Sequence, residues 1–162
     1  MQTFLIVLII AGVVAGLVTF LGRLQSKSGE ARVTMGEIDQ IVRALKTTGE
    51  DESFAVVLVP GTAEDDGALA NLQFSIEQGR LGFDWVLIAK RNIRDKDKVV
   101  SLIRSLGYTC SDRTLNGVDY VRCEDAWDFP GLAKKILTDL YGVDEKQSLT
   151  LIIMGFEWET PA

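Results

Sequence analysis

The chain contains no histidine and only two cysteines, Cys110 and Cys123, among its 162 residues. The first absence removes every mechanism that needs an imidazole of this chain: Ser-His-Asp triads, Cys-His dyads and His-ligated zinc or iron. The second removes a four-cysteine metal site, and two cysteines are too few for the disulfide framework of a secreted scaffold. Basic charge is also in deficit. Seventeen Lys and Arg stand against 23 Asp and Glu, a net charge of −6. No basic stripe with interleaved aromatics appears, so nucleic acid is not an expected partner. Internal repeats and low-complexity tracts are absent too. No cofactor is expected, and neither Ser111 nor Ser148 has a visible base partner that would make it a nucleophile.

Charge is missing altogether from the first 22 residues, and Thr19 is the only polar side chain between Phe4 and Leu21. At about 1.5 Å of rise per residue, such a run spans the roughly 30 Å hydrocarbon core of a bilayer. A cleavable signal peptide would want a basic start, a shorter apolar core and a small-x-small cleavage site. Only Met1, Gln2 and Thr3 precede the run, and it passes straight into GRLQSKSGEAR. A buried core helix would be unusually long and apolar on every face. Residues 1–22 therefore read as a single-pass transmembrane anchor, 23–33 as a juxtamembrane linker and 34–162 as one domain. That domain is expected in the cytoplasm, because Arg23, Lys27 and Arg32 follow the span against a single Glu30. The same flank makes membrane lipid an expected partner. Gly12 and Gly16, beside Ala11 and Ala15, have the GxxxG spacing that lets two membrane helices approach and form a homodimer, although such residues are also common in spans generally.

The domain has room for a proper core. Thr34 and Glu37 have capping-box spacing, and Ile38, Ile41, Val42 and Leu45 then form one helical stripe that Gly49 ends. Residues 54–59 are continuously apolar and read as a strand buried on both faces. The acidic loop after it, with Glu64, Asp65 and Asp66, lacks the ligand spacing of a calcium loop and reads as a solvated turn. Leu72, Phe74 and Ile76, then Leu81, Phe83, Trp85 and Leu87, are two alternating sets joined at Gln78-Gly79-Arg80. A second helix, capped by Asn92 or Asp95, carries Val99, Leu102, Ile103 and Leu106. A second hairpin closes around Asn116-Gly117, both of which suit positive φ. Asp128 caps a third helix with Pro130 in its first turn, and SLTLIIMGFEW reads as a last strand. The order α-β-β-β-α-β-β-α plus a strand is an α+β domain, mostly antiparallel with helices on one face.

The central hairpin NLQFSIEQGRLGFDW and the helix LAKKILTDLYGV, within that order, resemble the secretion-chaperone-like fold. This is the plan of type III secretion chaperones and of YbjN-type sensory-transduction-like domains. The resemblance covers roughly residues 34–142. It implies that the sheet face and the third helix dimerise or bind a partner peptide, and it implies no enzyme. A membrane anchor and a tail strand depart from that family.

Four residues stand out as candidate partner contacts. Asp84 and Trp85 interrupt an apolar strand, as groove contacts or as outward residues of a one-sided sheet. Phe156 and Trp158 lie on one side of the last strand, as core or as a docking edge. Asp125, Trp127 and Asp128 put two carboxylates beside an aromatic, a composition suited to acid–base work, but capping accounts for Asp128. Counting outward from Asn116-Gly117 places Cys110 opposite Cys123, where a bridge is geometrically allowed and a reduced pair is expected in the cytoplasm. Taken together, the sequence suggests a membrane-tethered protein-binding or adaptor domain, chaperone-like or immunity-like, without catalysis. An accessory single-pass subunit of a larger membrane complex is the second reading.

Overall fold

A computed structural model of the chain describes residues 28–61, 67 and 69–158. Seven strands form one sheet: β1 (Ser28–Val33), β2 (Phe54–Val59), β3 (Ala70–Glu77), β4 (Arg80–Val86), β5 (Ser111–Leu115), β6 (Val118–Cys123) and β7 (Leu149–Met154). Their spatial order is β1-β7-β2-β3-β4-β6-β5, and every neighbouring pair is antiparallel. Three helices, α1 (Ile38–Thr48), α2 (Lys90–Ser105) and α3 (Phe129–Tyr141), cover one face, with α3 packed against both others.

Local chemistry accounts for most of these elements. Glu37 accepts the Thr34 amide at 2.6 Å and closes the capping box before α1. The Asp128 carboxylate accepts the Gly131 amide at 2.9 Å, and Gly142 ends α3 in the left-handed region at φ 60°. Asn116 and Gly117 turn the β5–β6 hairpin at φ 52° and 80°, and the ladder runs from Leu115↔Val118 to Ser111↔Arg122. The core lies between sheet and helices. Ile38, Ile41 and Leu45 of α1, Val99 and Ile103 of α2, and Leu132 and Ile136 of α3 close over Val57, Leu72, Phe74, Phe83 and Leu151.

Four expectations are corrected. Among the described residues no helix is long and apolar enough to cross a membrane. The segment read as the anchor, residues 1–22 with Gly12 and Gly16, lies outside them. The transmembrane, single-pass and membrane-anchored cytoplasmic readings therefore have no support in this structure, and the fold is an α+β domain without a demonstrated span. The stretch read as a linker through residue 33 is instead β1 from Ser28 onward, because Ala31 and Val33 alternate with Glu30 and Arg32 and pair with β7. The α2 cap is Ala89, not Asn92 or Asp95. Both polar residues are buried inside the first turns, Asn92 because its amide is used by β3: Oδ1 accepts the Asn71 amide at 3.0 Å and Nδ2 donates to the Asn71 carbonyl at 2.8 Å. Finally, β2 is not closed on both sides, since Phe54 and Leu58 keep partial exposure on the face without helices.

Candidate functional site

Among the described residues, no helix packs on the other face of the sheet. Strand alternation decides its composition. Register places Phe54, Val56 and Leu58 of β2 beside Met154, Ile152 and Thr150 of β7. Val56, Phe54, Leu58, Ile152 and Met154 make an apolar stripe over two adjacent strands, with Val56 at its centre 4% exposed and the other four partly exposed.

Beside the stripe, β3, β4 and β6 bring together a charged cluster. Arg122 lies flat against β4 and is fully buried. Its Nη1 donates to Asp84 Oδ1 at 2.7 Å and to Ser75 Oγ at 2.9 Å, and Nη2 donates to the Arg80 carbonyl at 3.0 Å. Nε donates to Glu124 at 2.7 Å and faces Glu77 at 3.4 Å. Ser75 in turn donates to Asp84 Oδ2 at 2.5 Å. Burial pushes the Asp84 carboxyl up to about 6, against the pull of Arg122 and Ser75. Burial also opposes the charge on Arg122, but Asp84, Glu124 and Glu77 more than offset it and its pKa is raised. Tyr120 donates to Glu77 at 3.0 Å, and its phenol is pushed up to about 12 by burial and by that carboxylate. Each group in the cluster is occupied by another, so its chemistry is that of a closed ion-pair network.

Gly82 makes the network possible. A Cβ there would stand 2.4 Å from Arg122 Cζ and 2.6 Å from Nη2. The guanidinium thus occupies space that any side chain at Gly82 would fill. Gly82→Ala is expected to destabilise the domain by about 1–3 kcal/mol through overpacking. Most of that loss should vanish in an Arg122→Ala background, and paired urea unfolding curves measure the coupling.

The residues singled out from sequence are dispersed. Asp84 belongs to the buried network at 1% exposure. Trp85, its neighbour, points the other way into the core, where its indole donates to the Asn92 carbonyl at 2.9 Å and stacks on Tyr141 with ring centroids 6.2 Å apart. Phe156 is buried and Trp158 packs partly buried against the core. None of Asp84, Trp85 and Phe156 offers a side chain to solvent. Cys110 and Cys123 are both free thiols, one partly and one fully buried, at positions one step beyond the Ser111↔Arg122 pair. Burial and the Asp125 carboxylate push the Cys123 thiol up to about 12. Among the described residues no group of His, Cys, Asp and Glu could hold a metal ion. Glu64, Asp65 and Asp66 lie outside the described residues.

Arg122, Ser75 and Gly82 were invisible as a group. The usable signal was Arg122 itself, a charge among Tyr120, Val121 and Cys123 in a strand bounded by a hairpin turn. Only the order β4-β6 shows that it meets Asp84.

Charge on the open face balances. Among the described residues of that face, the carboxylates Glu30, Glu77, Asp84 and Glu124 are matched in number by Arg32, Arg80, Arg113 and Arg122. No family model, curated protein or solved structure matches the chain.

Proposed function

We propose that the chain is a protein-binding domain of adaptor or chaperone-like kind, without catalysis, and that the helix-free sheet face is its docking surface. One observation carries this reading: the stripe formed by Phe54, Leu58, Ile152 and Met154 is apolar, contiguous and partly exposed, although three helices were available to cover one sheet face. An antiparallel sheet with one solvated face ordinarily alternates apolar-in with polar-out. The β2 and β7 strands break that rule on their outer side. The described residues of the face carry no net charge, so its partner is an uncharged apolar strand or helix surface of another polypeptide, not a charged ligand. The reading against catalysis rests on the closed network, since Asp84, the carboxylate whose pKa is raised, is enclosed by Ser75 and Arg122.

Affinity capture with the tagged full chain tests it, with Leu58→Lys and Ile152→Lys as matched variants. Each places a charge within the stripe and leaves the helix-side core untouched. The expected result is a polypeptide retained by the wild type and lost at least tenfold in both variants, with unchanged thermal transitions. Equal retention by wild type and variants removes the sheet face as the docking surface.

A further inference from the structure

Trp127 is 84% exposed, the most exposed of the large apolar side chains among the described residues. It is nevertheless held in place. Ala126 before it is buried, and Asp128 after it is fixed as the N-cap of α3 by the Gly131 amide. The Tyr108 ring meets the indole edge to face, with centroids 6.0 Å apart. A large aromatic ring displayed on a pinned backbone loses little entropy when a partner covers it, which is the property of an interface anchor.

The surrounding charge says what kind of partner. Asp125 accepts the Thr109 amide at 3.0 Å and the Thr109 hydroxyl at 2.6 Å, contacts that hold its carboxyl below the usual range and keep it ionised. Asp128 spends one oxygen on its cap. Neither carboxylate has an ion-pair partner among the described residues, unlike Asp84, Asp95, Asp112 and Glu124. The exposed indole therefore belongs to a short segment, Asp125 to Asp128, whose two carboxylates have no ion-pair partner among the described residues. Carboxylates retain lone pairs beyond those used here.

We propose that Trp127 is a docking anchor for an arginine side chain on a partner polypeptide. The planar guanidinium stacks on the indole, the ring type that binds cations best, and turns its edge N–H groups to Asp125 and Asp128. This surface is separate from the apolar sheet face and does not rest on that reading, because it differs in both charge and position.

The probe is a blocked tri-arginine peptide, added to the full chain while the tryptophan indole N–H signals are followed by NMR. Trp127→Phe assigns its signal. The expected result is a saturable shift of the Trp127 signal alone, while those of Trp85 and Trp158 stay in place. Asp125→Asn and Asp128→Asn should each weaken binding roughly threefold, and together roughly tenfold, as for partly exposed charge pairs. Asparagine caps a helix as well as aspartate does, so Asp128→Asn keeps α3 intact. The proposal is overturned if the Trp127 signal does not move, if the double Asn variant binds as the wild type does, or if a tri-glutamate peptide moves the signal equally.

Discussion

Arg122→Leu is expected to lower unfolding stability by about 3–5 kcal/mol, the range for breaking a buried ion pair from one side. The substitution leaves Asp84 buried without its countercharge and removes the donors to Ser75, Glu124 and the Arg80 carbonyl. The asymmetry between one-sided and two-sided removal is the informative part. Asp84→Leu combined with Arg122→Leu empties the site of both charges, and an apolar pair of similar volume can replace a buried salt bridge at little cost. The double variant should therefore recover most of the loss, giving a coupling energy of several kcal/mol in a urea-unfolding double-mutant cycle. Additive losses would show that Arg122 acts mainly through Glu124 and the β4 backbone. The open face thus has one half whose charges serve the fold and another, on β2 and β7, whose apolar groups have no role in the helix-side core.

Trp85→Ala is the second large effect, about 3–5 kcal/mol by cavity formation. The side chain is fully buried, and the indole is the surface against which Tyr141 of α3 stacks, while the Arg91 guanidinium lies over the Tyr141 ring at 4.4 Å from its centroid. Trp85→Phe keeps a six-membered ring but removes the N–H and the rest of the pyrrole ring, leaving the Asn92 carbonyl without that donor and a smaller cavity in the core. A loss of about 1–3 kcal/mol is expected for that change, from the lost hydrogen bond together with the smaller cavity. Both variants lose the indole N–H, so the difference between their thermal midpoints measures the packing supplied by the aromatic ring. If Trp85→Ala shifts the midpoint by less than Trp85→Phe, the side chain is not the core pillar its burial indicates.

Much of the fold was legible because it is written in short-range chemistry. Capping at Thr34 and Asp128, the positive-φ pair at Asn116-Gly117 and the helical stripe of α1 depend on residues three or four apart. The misplaced α2 cap shows the limit of that logic. Asn92 has the right chemistry for a cap, but β3 offered its side chain two backbone bonds at once, and a tertiary partner outweighed a local one. For β1 the local pattern was too brief: Ala31 and Val33 are only two inward positions, and β7, the strand that pairs them, comes more than a hundred residues later.

The candidate site divides along the same line. From the sequence alone came the absence of imidazole chemistry, the α+β class and the alternation that separates Asp84 from Trp85 onto opposite sides of one strand. Which side of β2 carries helices is not encoded in that strand, since both of its faces carry large apolar groups. Only the tertiary structure decided that Trp85 and Phe156 are core, that Asp84 is locked to Arg122, and that Trp127 stands in solvent. The physical reason is that burial and ion pairing are set by which strands become neighbours. The insertion of β7 between β1 and β2, and of β6 between β4 and β5, joins residues that local periodicity cannot relate.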